Sequence, residues 1–291
     1  MAEPEAPGAG NGRLRAGAVM GKFSWGYSSD PGPYRDHNED FVAARVLTTP
    51  DDAWDRPPLF VLADGMGGHA AGEVASRVAT ETVLDLFASS PVGALPQMLR
   101  NAMRAANLAV AEAATGKGRK GMGTTLLAAG LSGREAVLGH VGDSRAYLVR
   151  GDSCTQLTND HSRVGEMVRR RMITPEQAAT HPARSQLTRS IGGDPLVQID
   201  LVRQPLERND VLILCSDGLW DVTSRIELAE LAAGLVDRST PTALALADHL
   251  VSDAVQKGAA DNVSVVVIHL TSEQPIPPVA RRRLLFRRSP A

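Results

Sequence analysis

Apolar residues run along this chain in short, nearly unbroken stretches divided by polar turns, a pattern that predicts buried β-strands. The stretches are Phe41 to Leu47, Pro58 to Ala63, Thr124 to Ala129, Glu135 to Val141, Arg145 to Val149, Leu196 to Arg203, Val211 to Cys215 and Val263 to Leu270. Several are rich in β-branched residues, as strands of buried sheets are. Between them the period changes to that of a helix with one apolar face. Val74, Val78, Thr82 and Leu86 form one such stripe, Leu99, Met103, Ala106 and Val110 a second, and Leu244, Ala247, Leu250 and Ala254 a third. Each stripe is a core-facing surface and carries no chemistry of its own. The stretch from His161 to Gly193 differs: it gathers Arg163, Arg169, Arg170, Arg171, Arg184 and Arg189 around a helix start at Thr174-Pro175-Glu176-Gln177. An N-cap threonine, a first-turn proline and a capping-box glutamine make that start. The expected element is a mobile basic flap, with a plain solvated helix as its alternative.

Four acidic clusters stand at the ends of the strand-like runs: Glu39-Asp40, Asp64-Gly65, Asp217-Gly218 and Asp261-Asn262. Buried carboxylates repel one another and are costly to desolvate, so their convergence implies a compensating cation. All-oxygen ligands point to magnesium or manganese. Asp64 closes Leu59-Phe60-Val61-Leu62-Ala63 and precedes Gly65-Met66-Gly67-Gly68, where a sharp turn could direct the Gly65 carbonyl toward a cation. Taken alone, an Asp-Gly pair is more often a turn. Arg35 precedes Glu39 by four residues, and its guanidinium fork beside carboxylates suits a phosphate dianion, or else makes a surface ion pair.

Composition narrows the class. The 291 residues suffice for one domain with a large core, and a hydrophobic fraction of 43% with a net charge of -2 is that of a globular enzyme. A two-metal nuclease or phosphodiesterase would be expected to offer a basic, aromatic track, but aromatics are only 4%, so no nucleic-acid partner is expected. Cys154 and Cys215 make no disulfide framework, which suggests a reducing, cytoplasmic setting. The first residues lack a signal-peptide pattern, and no run is apolar for the ~18 residues of a membrane span. Residues 1–17 read as a disordered lead-in, 18–272 as the catalytic domain, and 273–291 as a Pro-containing basic tail. RRRLLFRR, from Arg281 to Arg288, is either solvated or touches anionic lipid or an acidic partner.

RDHNED (35 to 40), LADGMGGHAAGEVAS (62 to 76), GMGTTL (121 to 126), GHVGDSRAYL (139 to 148), LTNDHS (157 to 162), LTRSIGG (187 to 193), CSDGLWD (215 to 221) and DNVSVVV (261 to 267) together resemble the ordered motifs of metal-dependent protein serine/threonine phosphatases, the type 2C or PPM family. The likeness covers about residues 18 to 270 and is closest to the bacterial branch. It implies an α+β fold, a four-layer α/β/β/α sandwich of two antiparallel sheets flanked by helices. It also implies hydrolysis of phosphoserine and phosphothreonine in proteins by direct attack of a metal-bridging water, opposing a bacterial Ser/Thr protein kinase. By matched motifs, Asp64 bridges two Mn2+ or Mg2+ ions, Asp217 and Asp261 complete the first site, and the Gly65 carbonyl and Glu39 serve the second. Asp40 falls in the water-mediated shell, Asp143 and Asp221 match a weaker third site, and Arg35 matches the phosphate-binding arginine.

The sequence departs from part of the family in having Met66, not histidine, after the Asp-Gly pair. His69 is therefore a general-acid candidate set against a supporting hydrogen bond, with His161 and His37 behind it. A phosphatase-fold regulator that binds phosphoproteins or a kinase without turnover is the alternative function. Competent ligands at all core metal positions speak against it. The chain is expected to be a monomer.

Overall fold

Alternate residues of one strand feed two different cores. Leu59, Val61 and Ala63 pack beneath two helices, while Phe60 and Leu62 pack between the sheets. The computed structural model describes residues 13–46, 56–67, 70–91, 93–116, 118–237, 242–274 and 276. In chain order the elements are β1 (Leu14–Val19), β2 (Phe23–Asp30), β3 (Asp40–Arg45), β4 (Leu59–Met66), α1 (Ala70–Ser89), α2 (Leu95–Ala113), β5 (Gly123–Thr124), β6 (Leu126–Ser132), β7 (Glu135–Val141), β8 (Arg145–Arg150), β9 (Ser153–Gln156), α3 (Arg163–Arg169), α4 (Pro175–Ala179), β10 (Asp200–Pro205), β11 (Val211–Cys215), the single turn α5 (Asp217–Trp220), α6 (Arg225–Val236), α7 (Ala243–Gln256) and β12 (Val263–Leu270).

One sheet runs β1-β2-β12-β11-β8-β9 and the other β10-β7-β6-β4-β3, with β5 paired to β4. All the pairings are antiparallel. Helices α1 and α2 cover the second sheet, α6 and α7 cover the first, and the inner faces close on each other, giving the expected α/β/β/α sandwich. Antiparallel strands commonly alternate apolar and polar. Here both faces are covered, which explains runs such as Val211 to Cys215, all buried.

Two strands absent from the hydrophobic pattern lie at the start. β2 is FSWGYSSD, yet it is paired on both edges and nearly all buried. Its small residues admit α7: a Cβ on Gly26 would lie 2.2 Å from the Leu244 Cα. Close helix approach has replaced bulky packing there. β1 begins at Leu14, inside the expected lead-in, so the sheet starts ahead of the expected boundary. At the other end, Ile276 is 2% exposed and exchanges backbone hydrogen bonds with Gly133 (2.8 and 3.0 Å), which pins the start of the expected tail to the domain. Residues 1–12 and Arg281 to Arg288 lie outside the described residues.

Smaller corrections share one cause, that sequence period does not reveal rotation about an axis. In α1 the fully buried row is Ala71, Ala75, Ala79, Val83 and Phe87, one position on from the expected stripe, whose members are half-buried. The strand expected from Leu196 begins at Asp200, and Leu196 itself is 89% exposed.

Candidate active site

The termini of β3, β4, β11 and β12 meet at one end of the sandwich, so four chain segments far apart in sequence deliver their acids to one place. Asp40 and Asp64 are register partners across β3 and β4. Asp217 opens α5 just after β11, and Asp261 lies two residues before β12. A cleft of about 570 Å³ is lined by Arg35, Glu39, Asp64, Gly65, Asp217 and Asp261, with Asp143 on its wall. His37 also lines it. Asp40 sits behind, 4% exposed.

Backbone contacts fix each acid. The Asp64 N–H donates to Thr125 Oγ1 (2.9 Å), and its carbonyl accepts from Thr125 N–H and Thr124 Oγ1 (each 2.8 Å). Asn262 clasps the segment carrying Arg35 and Glu39: its Nδ2 donates to the carbonyls of Pro31 (2.8 Å) and His37 (2.9 Å), and its Oδ1 accepts the Glu39 N–H (2.7 Å). Trp220 Nε1 donates to the Asp143 carbonyl (3.1 Å), tying the VGDSR loop to α5. Sequence reasoning gave Thr124, Thr125, Asn262 and Trp220 no role, although each lies inside a quoted motif.

The glycines act differently from expectation. Gly65 does not adopt a left-handed conformation; β4 continues through Met66, and the turn falls at Gly67, φ 132°. Gly65 is required by crowding, since a Cβ there would lie 2.2 Å from the Gly72 carbonyl oxygen and 2.5 Å from that of Glu39. Gly218 repeats the device, with the Asn262 carbonyl oxygen 2.2 Å from a Cβ. In both Asp-Gly pairs glycine lets a neighbouring backbone close in beside the carboxylate.

Electrostatically the cluster is frustrated. Burial, then the charges of Asp40, Asp217, Asp143 and Asp261, push the Asp64 carboxyl well above the ordinary range. Asp217 is raised likewise by burial and then by Asp143, Asp261 and Asp40. Burial lifts Asp40 to about 7, against hydrogen bonds from Ser264 and Ser216 that lower it. Asp143 is pushed up to about 6, chiefly by burial. Asp40 and Asp217 each keep a buried carboxylate oxygen without a hydrogen-bond partner. Orphaned, proton-hungry oxygens on several converging acids fit a hard divalent cation, which would satisfy and neutralise them together. Among the described residues no three acidic side chains already surround one point closely enough to hold an ion. Asp261 is engaged by Arg35, its Oδ2 accepting from Arg35 Nη2 at 2.6 Å.

The other predicted residues divide. Asp221 lies not on this cleft but on a neighbouring one, where Arg184 Nη1 donates to its Oδ2 at 3.1 Å. His161 is fully buried between Gly142 N–H (3.1 Å) and Asp200 (3.1 Å), which removes it as a proton donor to a substrate in the cleft. His69 lies outside the described residues.

The family profile of protein phosphatase 2C matches residues 35–263, which contain every acid of the cluster. The chain belongs to this family. It is a metal-dependent protein serine/threonine phosphatase of the bacterial type. It is 33% identical over 247 residues to the serine/threonine phosphatase stp of Listeria innocua, a match spanning 83% of this chain and 94% of that one. The crystal structure of the Mycobacterium tuberculosis serine/threonine phosphatase PstP/Ppp aligns with a TM-score of 0.74 at 38% identity, covering 86% of this chain and 100% of that one. A structure of the catalytic domain of PstP in complex with two manganese ions aligns with a TM-score of 0.72 at 36% identity, covering 86% and 99%. Among the described residues of this type 2C phosphatase no helix is long and apolar enough to cross a membrane.

Proposed function

We propose that this phosphatase hydrolyses phosphoserine and phosphothreonine at the cleft between Arg35 and the carboxylate cluster, opposing a Ser/Thr protein kinase in the cytoplasm as a monomer. The observation that carries the reading is the set of raised, partly orphaned carboxylates facing a guanidinium across one cleft. Asp64, Asp217 and Asp261 would hold one Mn2+ or Mg2+ ion, with the Gly65 carbonyl, Glu39 and Asp64 serving a second, and Asp40 acting behind them. Asp143 and Asp221 would serve a third. Such ions supply Lewis acidity, lowering the pKa of a water and neutralising charge on phosphoryl oxygens.

The chain's own residues do the rest. Arg35 offers a planar fork to the phosphate, and its Nη2 already donates to Asp261 at the edge of the cluster, which supports that reading. Thr124 and Thr125 hold the Asp64 backbone, so the carboxylate is presented from a fixed main-chain position. The departing serine or threonine alkoxide needs a proton. Among the described histidines His37 lines the cleft, while His69, the first general-acid candidate, lies outside the described residues. The basic tail at Arg281 to Arg288 has the charge to touch an anionic membrane.

The test is hydrolysis of a phosphothreonine peptide with manganese and with excess chelator, for the wild type, Asp64→Asn and Asp217→Asn. Turnover should require metal and nearly vanish in both variants, with circular dichroism unchanged. Manganese should also raise the melting temperature of the wild type more than that of either variant. Full turnover in chelator, or in either variant, would overturn the assignment.

A further inference from the structure

A second cleft, of about 540 Å³, opens beside the first and shares Asp143, Ser185 and Asp217 with it. The two clefts therefore adjoin, and a chain whose phosphoresidue lies in the catalytic cleft has the second one as its neighbour. This cleft lies between the flap helices and the α5–α6 corner, and four arginines line it: Arg145, Arg169, Arg184 and Arg225. Two are already matched. Arg145 forks onto Asp160 (2.6 to 3.2 Å) and lies 3.6 Å above the centre of the Trp220 ring, and Arg184 pairs with Asp221. Arg169, the last residue of α3, and Arg225, the first of α6, are exposed and form no ion pair among the described residues. Away from the shared acids, the only carboxylates on the lining are those of Asp160 and Asp221. With Asp143 and Asp217 assigned to the metal cluster, the end of the cleft away from them carries two unmatched guanidinium groups, one on the flap and one on the body of the domain.

We infer that this cleft docks the acidic flank of the phosphoprotein substrate, with Arg169 and Arg225 reading Asp or Glu side chains near the phosphoresidue. The inference rests on the phosphatase reading and deepens it by naming the class of sequence the enzyme prefers. It also separates the flap arginines, because Arg163, Arg170 and Arg171 do not line the cleft. Exposed guanidinium–carboxylate contacts are individually weak and screened by salt, so the preference is a graded one and fades as ionic strength rises.

The experiment compares phosphothreonine peptides with glutamate, glutamine or lysine flanks, using wild type, Arg169→Gln/Arg225→Gln and Arg170→Gln. The wild type should favour the glutamate peptide. The double variant should lose about fivefold in kcat/KM on that peptide, carried by KM. It should match the wild type on the glutamine peptide and on p-nitrophenyl phosphate, and Arg170→Gln should match the wild type throughout. Fluorescence anisotropy of the labelled glutamate peptide, with and without manganese, decides the matter independently of turnover. Weakened binding in the double variant supports the docking site even if the catalytic reading fails. Equal losses on all three peptides, or no loss on the glutamate peptide in turnover and binding, would overturn it.

Discussion

Asp40 and Asp64 stand directly opposite each other across the β3–β4 ladder, two acids of the cluster in one register pair. Like charges so placed destabilise a sheet, and burial deepens the cost. The cost depends on pH. Asp40 has its pKa raised from 3.8 to about 7, so between those values the folded protein holds a proton that the unfolded chain has released. Stability from this group is therefore lost as pH rises through that window. His140, lowered to about 3, and His161 and His269, also lowered, act in the opposite sense. A difference between variants cancels them. In excess chelator, Asp40→Asn should melt above the wild type by an amount that grows from pH 4 to pH 7, reaching the order of 2 kcal/mol or about 5 °C. A gap that is flat or shrinking with pH would contradict the burial of charge at Asp40. With manganese present the advantage should disappear.

Asn262 joins three backbone groups of the Arg35 segment to the start of β12. Asn262→Ala strands the Glu39 N–H and two carbonyls, a loss of about 2–3 kcal/mol. Because Arg35 and Glu39 ride on that segment, KM for a small phosphoester should rise several-fold in protein that is still folded at the assay temperature. Asn262→Asp keeps the acceptor for Glu39 N–H but neither donor, and should fall between. A variant that melts lower while KM stays at its wild-type value would reduce the clasp to a structural role.

The layered fold was legible because its strands are buried on both faces, and such strands read as plain apolar runs: Val211 to Cys215 and Val263 to Leu270 have the expected bounds. β2 was not legible, since Gly26 and its serines answer to α7 and to partners such as Ser264, whose Oγ lies 2.7 Å from Ser29 Oγ. The acids of the cleft were legible from strand-end position joined to a family likeness. What positions them was not, because Thr125 reaches Asp64 and Asn262 reaches Glu39 only after sheet pairing, and no local spacing encodes either contact. Asp221 follows Asp217 by one turn, on the same face of α5 but displaced along its axis, and so lines the neighbouring cleft that Asp217 only borders.

Arg35 donates to Asp261 Oδ2 at 2.6 Å, while Asp261 Oδ1 accepts the Asn262 N–H at 2.9 Å. Replacing the arginine removes the phosphate fork and frees a carboxylate oxygen. Arg35→Ala should therefore raise KM for a small phosphoester by about tenfold or more, with a smaller change in kcat. It should also tighten manganese binding measured by calorimetry without substrate, since Asp261 no longer has a competing cation. Arg35→Lys restores a charge without the fork and should recover KM only in part. Unaltered kinetics in Arg35→Ala would take this residue out of the site.

The two ends of the flap are latched at one residue. The His161 ring accepts the Gly142 N–H at Nδ1, so in the neutral ring the proton lies on Nε2 and is donated to Asp200 Oδ2. Burial lowers the His161 pKa and favours that neutral form. Arg189, at the far end of the flap, donates to Asp200 Oδ1 at 2.9 Å, and the Ser162–Leu187 bridge closes the base between them. Asp200→Ala removes the shared acceptor from both ends while leaving the cleft acids in place. The loss of two hydrogen bonds to a charged group should cost about 3 kcal/mol or less, because Asp200 remains partly open to water. The local effect should be larger: trypsin should cut at the arginines between Arg163 and Arg189 several-fold faster than in the wild type, at a temperature where both proteins are folded. Mass spectrometry of the fragments would locate the cuts. Cleavage in this segment at the wild-type rate would mean that the flap is held by its backbone bridges alone.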